Sequence, residues 1–196
     1  DYGANTDWLD EITHTPLSQV YNISLRGGSK TTNYVASFDY RKLEGIIKRF
    51  DNHIIYPRIE ITHRMFNNKL KLNASVSGYK QKHFDGSDGG GYRGGIYESA
   101  LKYNPTEPVK DENGVWTEKA NMEYFNPANL LWEMEGENTN TNLKMFANVI
   151  FSPIAGLDIK LLGSNSTTNQ TRGYYETAQN TFSIRNGRTG YASRGA

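Results

Sequence analysis

The sequence predicts an all-β fold built from antiparallel strands, on three observations. Apolar and polar residues alternate with a period of two in six separate segments, which is typical of strands with one apolar and one polar face. Short turns and long loops alternate between these segments. The composition agrees, because 13 Tyr and 19 Gly among 196 residues, together with many Asn, Thr and Ser, favour strands and polar loops.

The first two predicted strands lie in the stretch "YNISLRGGSKTTNYVASFDY", residues 21–40. Each strand has an apolar row on one face and a polar row on the other, and a Gly-Gly-Ser-Lys turn joins the two. The apolar rows are Tyr21, Ile23 and Leu25, followed by Tyr34, Ala36, Phe38 and Tyr40.

Four further segments repeat the pattern of this hairpin. They are "RIEITHRM" (58–65), "KLKLNASVS" (69–77), "LKMFANVIF" (143–151) and "LDIKLLGS" (157–164). When the phase of each strand is chosen to group its apolar residues, no apolar row contains Asp, Glu, Lys or Arg. The six strands therefore predict a sheet with one uncharged face and one charged face.

The lengths of the connections indicate how the strands are arranged. The first, third and fifth connections are short, whereas the second covers residues 42–57 and the fourth residues 81–141. In an antiparallel meander all short turns then share one end of the sheet and all long loops the other, as in bacterial outer-membrane barrels. Ten residues tilted by about 45° rise roughly 23 Å, close to the apolar band of about 25 Å in such barrels.

Two architectures are compatible with this pattern. In a transmembrane β-barrel the apolar face meets lipid, and in a soluble β-sandwich it packs on a second sheet. No segment approaches 18 consecutive apolar residues, so no membrane helix is expected. The mean hydropathy of −0.70 is compatible with a barrel, because barrel strands are only half apolar. The alternation alone does not separate the two architectures.

Composition and motifs argue against several functions. The net charge of +1, with Lys and Arg scattered along the chain, argues against a nucleic-acid partner. No cysteine is present and the four His lack metal-ligand spacing. "DGSDGGG" (85–91) lacks the ligand pattern of a calcium loop, and "DENG" (111–114) predicts a hairpin turn. No nucleophile elbow, HExxH motif or phosphate loop occurs, so we expect neither an enzyme nor a bound cofactor or metal.

Several motifs, in their order and spacing, resemble the SusC/RagA family of TonB-linked outer-membrane transporters from Bacteroidota. They are "GANTDWLDEI" (3–12), the hairpin at 21–40, "EGIIK" (44–48), "KLKLNASVS", "NPTEPVKDENGVW" (104–116), "NPANLL" (126–131), "SPIAGLDIKL" (152–161) and "NGRTGYASR" (186–194). The resemblance covers nearly the whole chain. It implies a barrel of 22 strands with an N-terminal plug, of which this chain would contribute about six strands as a fragment.

The resemblance also implies partners and a location. We expect a multi-pass barrel in the bacterial outer membrane, in contact with outer-membrane lipid, the rest of its own barrel and its plug. A SusD-like surface lipoprotein would bind over it, and a TonB complex would supply energy through the plug. The cargo would be an oligosaccharide or an oligopeptide. Two alternatives remain: a soluble or surface β-sandwich that binds carbohydrate or acts as an adhesin, and an iron-chelate TonB receptor or porin.

Combined with the strand pattern, the resemblance divides the chain into five parts. Residues 1–17 form an extracellular loop, 18–82 four barrel strands, 83–141 a long extracellular loop, 142–166 two barrel strands, and 167–196 an extracellular loop with the start of the next strand. Within the long loop, "ESALKY" (98–103) and "YFNPANLLWEME" (124–135) predict short helices. Asn126 would cap the second helix ahead of Pro127.

Two sets of candidate site residues follow. Aromatic rings of the long loop can stack on a sugar or hold a peptide side chain, although each ring can equally serve to fold the loop. These candidates are Tyr92, Tyr97, Trp116, Tyr124 and Trp132. Charged residues opposite the apolar rows would face the lumen and contact the plug. They are Arg26, Asp39, Arg41, Arg58, Glu60, Arg64, Lys71 and Lys144.

Overall fold

The computed structural model describes residues 3–84, 95–118 and 124–195. Its elements in chain order are α1 (Trp8–Ile12), β1 (Gln19–Gly28), β2 (Thr32–Glu44), β3 (Asp51–Met65), β4 (Leu70–Phe84), α2 (Ile96–Lys102), α3 (Pro127–Trp132), β5 (Met134–Phe151), β6 (Ile159–Glu176), α4 (Thr181–Arg185) and β7 (Tyr191–Gly195). Within these described ranges, no helix combines the length and the apolar character needed to cross a membrane.

All seven strands belong to one antiparallel sheet in the order β1 to β7, so each strand pairs with its neighbours in sequence. The predicted antiparallel, mostly β architecture is confirmed. The sheet is open, with β1 at one edge and β7 at the other. We call the end with the tight turns at 29–31, 66–69 and 152–158 the turn end, and the opposite end the loop end.

The strands extend further toward the loop end than the sequence predicted. β5 begins at Met134, inside the segment predicted as loop, and β6 continues to Glu176, ten residues past the predicted boundary at 166. Both extensions are rich in Asn and Thr on both faces and therefore lack the alternation that predicts a strand. The two extensions pair with each other without a break, from Met134–Glu176 to Phe151–Ile159, and this pairing accounts for their strand structure.

The cross-strand register places the predicted apolar rows on one face of the sheet. Ala36, Ile59, Val76 and Met145, for example, lie in a single row across four strands. Most side chains of this face are exposed and the others are partly exposed; Ile23 retains 71% of its accessible surface. Among the described residues, no second layer covers the face, so its apolar side chains form no core with the rest of the chain.

The apolar part of this face slants across the register rows. On β1 it reaches Tyr21, whose row continues through Tyr40 to Asn169 on β6. On β6 its last apolar side chain is Leu161, and Gly163 separates it from the polar Asn165; this border at Gly163 lies six residues, and thus three same-face rows, nearer the turn end. Six residues over five strand steps correspond to a tilt of about 40° at the usual strand rise and spacing. Barrel strands tilt by about 35–45° to the axis, so this end-to-end slant is close to that of a level band on a barrel.

The buried core lies outside the sheet, at its loop end. We call α1 to α4 and the segments that link them to the strands the loop cluster. Its core residues, together with Met134 at the start of β5, are Trp8, Ile12, Ile96, Ala100, Tyr103, Phe125, Ala128, Leu130 and Leu131. The rings of Trp8 and Tyr103 meet edge to face, with centroids 4.8 Å apart. The helices predicted near 98–103 and 124–135 are present as α2 and α3, whereas α1 and α4 were not predicted.

Candidate functional site

The exposed apolar face is the first of three surfaces that bear on function. Its residues are Tyr21, Ile23, Leu25, Tyr34, Ala36, Phe38, Tyr40, Ile55, Ile59, Ile61, Leu72, Ala74, Val76, Leu143, Met145, Ala147, Val149, Phe151, Ile159 and Leu161. A contiguous exposed apolar surface of this extent is rare in water-soluble monomers and indicates contact with an apolar partner or with lipid.

Aromatic side chains mark the borders of the apolar face. Tyr21 and Tyr40 stack with ring centroids 6.2 Å apart, at the border on the loop side. Phe66 lies in the tight turn at the opposite end and is 70% exposed. Tyr and Phe are enriched where a membrane protein passes from hydrocarbon to headgroups, because their rings are apolar and, in Tyr, the tip is polar.

The opposite, polar face carries all eight residues that the sequence predicts to face a lumen. They are Arg26, Asp39, Arg41, Arg58, Glu60, Arg64, Lys71 and Lys144. Four of them form pairs along single strands: the Arg41 guanidinium lies 2.6 Å from the Asp39 carboxylate, and Arg58 lies 2.6 Å from Glu60. This face also contains apolar residues that the prediction left out, among them Val35, Ile54 and Leu162.

The predicted ligand-binding aromatics of the loop cluster fall into two groups, those with rings accessible from solvent and those hydrogen-bonded within the cluster. Tyr97 on α2 and Trp132 at the end of α3 are each 48% exposed, so their rings are accessible from solvent. Trp116 instead donates its indole N–H to Glu133 at 2.7 Å, and the Tyr124 hydroxyl accepts from the Lys102 amine at 2.8 Å. Tyr92 lies outside the described residues.

Buried asparagines hold the loop cluster together, a feature that sequence reasoning missed in part. The Asn126 side chain accepts from the backbone of Ala128 at 3.0 Å, as predicted for a helix cap, and its amide donates to the Val109 carbonyl at 3.0 Å. Asn129 donates to the Gln179 carbonyl at 2.8 Å and accepts from the Thr181 backbone at 2.9 Å. These bonds join α3 to two distant segments, and only the Asn-Pro cap has a signal in the sequence.

Arg49 connects the β2–β3 loop to β4 and β5. Its φ of 71° is in the left-handed region, which costs free energy for a residue with a Cβ. One guanidinium nitrogen donates to the Met134 carbonyl at 2.8 Å, another lies 2.8 Å from the Glu135 carboxylate, and the group lies over the Phe84 ring. The charge-assisted contacts offset the backbone cost and fix this loop against the cluster.

Glu118 is a partly buried carboxyl in the loop cluster. Burial raises its pKa above the ordinary value because the charged form is poorly solvated there. One carboxyl oxygen accepts from the Thr181 hydroxyl and from the Asn126 backbone at 3.1 Å. The other has no hydrogen-bond partner within the part of the chain that the structure describes. The nearby Tyr103 hydroxyl has a raised pKa for the same main reason, burial.

Comparison with known proteins identifies relatives of the chain. No family model matches it. In sequence it is 30% identical over 106 residues to the TonB-dependent receptor SusC of Bacteroides thetaiotaomicron, which covers 54% of this chain and 10% of SusC. The chain therefore spans about a tenth of the length of this curated relative.

The fold has solved counterparts. A chain of the RagAB peptide transporter matches 89% of this chain and 20% of its own length, with a TM-score of 0.70 and 21% identity. The RagAB peptide importer in its closed-closed state matches 90% of this chain and 20% of its own, with a TM-score of 0.71 and 21% identity. Together with the sequence match to SusC, this fold confirms the resemblance predicted from the motifs: the chain is SusC/RagA-like.

Proposed function

We propose that this SusC/RagA-like chain forms part of the wall and outer loops of a TonB-dependent transporter in a bacterial outer membrane. The observation that carries the proposal is the exposed apolar face, which slants across the strands at about the tilt of a barrel. In this arrangement the apolar face meets hydrocarbon and the polar face lines the lumen. The loop end, with its folded cluster, then lies outside the cell.

The open edges of the sheet support the idea that further strands complete the barrel. Among the described residues, no strand pairs with the outer side of β1 or of β7. Unpaired backbone groups are not tolerated in hydrocarbon, since no water is available to hydrogen-bond with them. Additional strands of a longer polypeptide would pair with both edges. The chain's match to about a fifth of the RagAB chains agrees with this proposal.

The polar face has the properties of a wall around a plug domain. Its charges are of both signs, and at Asp39–Arg41 and Arg58–Glu60 they are already paired within the wall. A plug surface can exchange hydrogen bonds with such a wall without leaving a buried unpaired charge. A TonB complex would act on the transporter through that plug.

We propose an oligomeric nutrient as the cargo, a glycan or a peptide, captured together with a SusD-like surface lipoprotein at the loop end. The accessible rings of Tyr97 and Trp132 favour ligands with flat apolar faces. RagAB, a relative in fold, is a peptide transporter by its own description. Uptake assays with labelled oligosaccharides and oligopeptides in cells that carry or lack the protein separate the two cargos, and uptake of an iron chelate alone would support the rival receptor.

The membrane placement can be tested by cysteine scanning in the full-length protein. This chain contains no cysteine, so single cysteines at positions 72–77 of β4 can carry spin labels without competing sites in it. We expect labels at 72, 74 and 76 to be accessible to oxygen dissolved in lipid, and labels at 73, 75 and 77 to be shielded from it. A protein in which both sets contact only water would be a soluble sheet, and the proposal would be wrong.

A further inference from the structure

Side-chain amides are concentrated on the polar face of β4, β5 and β6, toward the loop end. Asn138, Asn140 and Asn142 occupy alternate positions of β5 and therefore share this face. In the register row of Asn140, Gln81 lies on one side in β4 and Gln170 on the other side in β6. We call these five residues the amide array. It forms a cross of amides with Asn140 at its centre.

The surroundings of the amide array carry little charge. The rows of Asn138 and Asn142 on β4 and β6 hold four further side chains of this face: Tyr79, Thr168, His83 and Arg172. The block of three strands by three rows thus contains no carboxylate and one permanent cation. The charges predicted to contact a plug lie elsewhere on the polar face, on β1 to β3 or nearer the turn end, as Lys144 does on β5.

Strand formation alone does not account for this choice of residues. Asn is depleted in strands, whereas Thr is favoured there. On the opposite face of β5 and β6, the same stretch of the pairing carries three threonines and one asparagine: Thr139, Thr141, Thr171 and Asn169. The polar face instead carries Asn at three successive same-face positions of β5. The difference between the faces indicates that the amides serve a contact made on the polar face.

The amides are only partly satisfied by their neighbours. Gln170 donates to the Asn138 side chain at 3.2 Å, and the Gln81 carbonyl accepts from the Tyr79 hydroxyl at 2.6 Å. Asn140 is partly exposed, and its side chain has no hydrogen-bond partner among the described residues. The centre of the array therefore offers an accessible acceptor and two accessible donors.

We propose that the amide array binds an uncharged oligosaccharide at the loop end of the lumen wall. A primary amide both donates and accepts, so it can bond to sugar hydroxyls in either role. Neighbouring amides are about 4.8 Å apart across the strands and about 6.7 Å apart along β5, so successive hydroxyls of one chain can each meet an amide. The partly exposed ring of Tyr79, at the edge of the block, offers an apolar face for sugar C–H groups.

An oligopeptide fits this surface less well. Its amino terminus would find no carboxylate within the block of three strands by three rows. Extended peptides are also commonly bound through backbone hydrogen bonds at a sheet edge, whereas the array lies on the face of paired strands. The chemistry of the array thus favours a neutral glycan over a peptide.

This inference rests on the proposed function, which turns the polar face toward the lumen, and it selects one of the two cargos named there. It also adds a binding surface on the barrel wall to the accessible rings of the loop cluster. The array would hold the cargo by hydrogen bonds, next to the mixed charges that face the plug.

Binding can be measured in outer membranes of cells that carry the full-length protein, with membranes of cells that lack it as background. The probes are fluorescent hexasaccharides of α-glucan, β-glucan, mannan, galactan and xylan, and a fluorescent library of hexapeptides. Asn140→Leu and Asn140→Ala both remove the central amide, and the second adds no bulk. The matched control is Asn169→Leu, at an exposed amide on the opposite face of the adjoining strand.

We expect the wild type to bind at least one hexasaccharide, and both Asn140 variants to bind it about tenfold more weakly, as for the loss of one or two hydrogen bonds. Asn169→Leu should bind as the wild type does. Equal amounts of each variant in the outer membrane would show that the substitutions leave folding intact, as expected where no described hydrogen bond is lost.

Two results would overturn the inference and leave the proposed transporter intact. One is a wild-type protein that reaches the outer membrane but binds none of the hexasaccharides, whether or not it binds peptides. The other is an equal affinity of the Asn140 variants and the Asn169 control. A wild-type protein that is absent from the outer-membrane fraction would instead contradict the proposed function itself.

Discussion

The sheet and the loop cluster place the same kinds of apolar residue in opposite surroundings. In the loop cluster, Leu130 and Leu131 are fully buried, as in a water-soluble domain. In the sheet, Ile23 and Leu161 each keep 71% of their surface exposed, and backbone pairing between strands holds the structure together. Composition alone would not distinguish the two regions. Their difference in burial shows that the cluster is organised against water, and it supports lipid as the medium around the sheet.

The largest expected effect concerns the buried core of the loop cluster. Leu130→Ala removes a fully buried side chain and should destabilise the loop cluster by about 2–5 kcal/mol, because a cavity remains in a packed core. Leu161→Ala removes the same atoms from an exposed position in β6 and should have a much smaller effect. Hydrogen exchange of amides in α3 measures the local loss. If the α3 amides are equally protected from hydrogen exchange in the two variants, the buried leucine of the cluster contributes no more to stability than the exposed leucine of the sheet.

The next effect tests the sheet. Ala74 lies in the middle of the apolar part of β4, where in the proposed membrane placement an arginine would project into the hydrocarbon. Ala74→Arg should lower the free energy of unfolding of the full-length protein in lipid vesicles by about 2–4 kcal/mol. Ser75→Arg is the matched control, since the neighbouring position faces the polar side near Glu60. If both arginines cost the same, the two faces of the sheet do not meet different media.

The smallest effect is a pH dependence confined to the loop cluster. Because burial raises the pKa of Glu118, folding favours its protonated form. The stability that this group contributes is full below the ordinary glutamate pKa of 4.5 and is lost as pH rises through the raised value. Glu118→Gln should reduce the dependence of the cluster's stability on pH, and it should leave the cluster more stable than the wild type at neutral pH.

Thermal unfolding followed by tryptophan fluorescence measures this slope, because Trp8, Trp116 and Trp132 all lie in the loop cluster. The control is Glu112→Gln, at an exposed carboxyl in a nearby turn, which should keep the wild-type pH profile. A Glu118→Gln variant that keeps the wild-type slope would show that another group carries it.

The sequence predicted the sheet well because the alternation of apolar residues fixes both the strand and its phase. Rows such as Ala36, Ile59 and Val76 share a face in the structure for that reason. The strand extensions in β5 and β6 were missed because Asn and Thr occur on both of their faces, so the sequence there shows no alternation of apolar and polar residues. α1 and α4 have five residues each, too few to establish a helical period.

The loop cluster was less predictable because it depends on contacts between distant segments. Nothing local to Asn129 indicates that its amide will bond to Gln179, 50 residues away. Residue type also fails to show which aromatic rings remain accessible: Trp132 is half exposed, whereas the indole N–H of Trp116 is hydrogen-bonded to Glu133. Whether any of these rings binds a ligand stays a prediction.

The slant of the apolar face has a consequence for the strands that would flank this sheet. A stagger of six residues over five strand steps means that the hydrophobic stretch shifts on average by roughly one residue per strand. A strand docking on the free side of β1 should have its stretch displaced toward the loops, and one docking on β7 toward the turns. This average shear would give neighbouring strands a recognisable register and set the circumference that a closed wall could adopt.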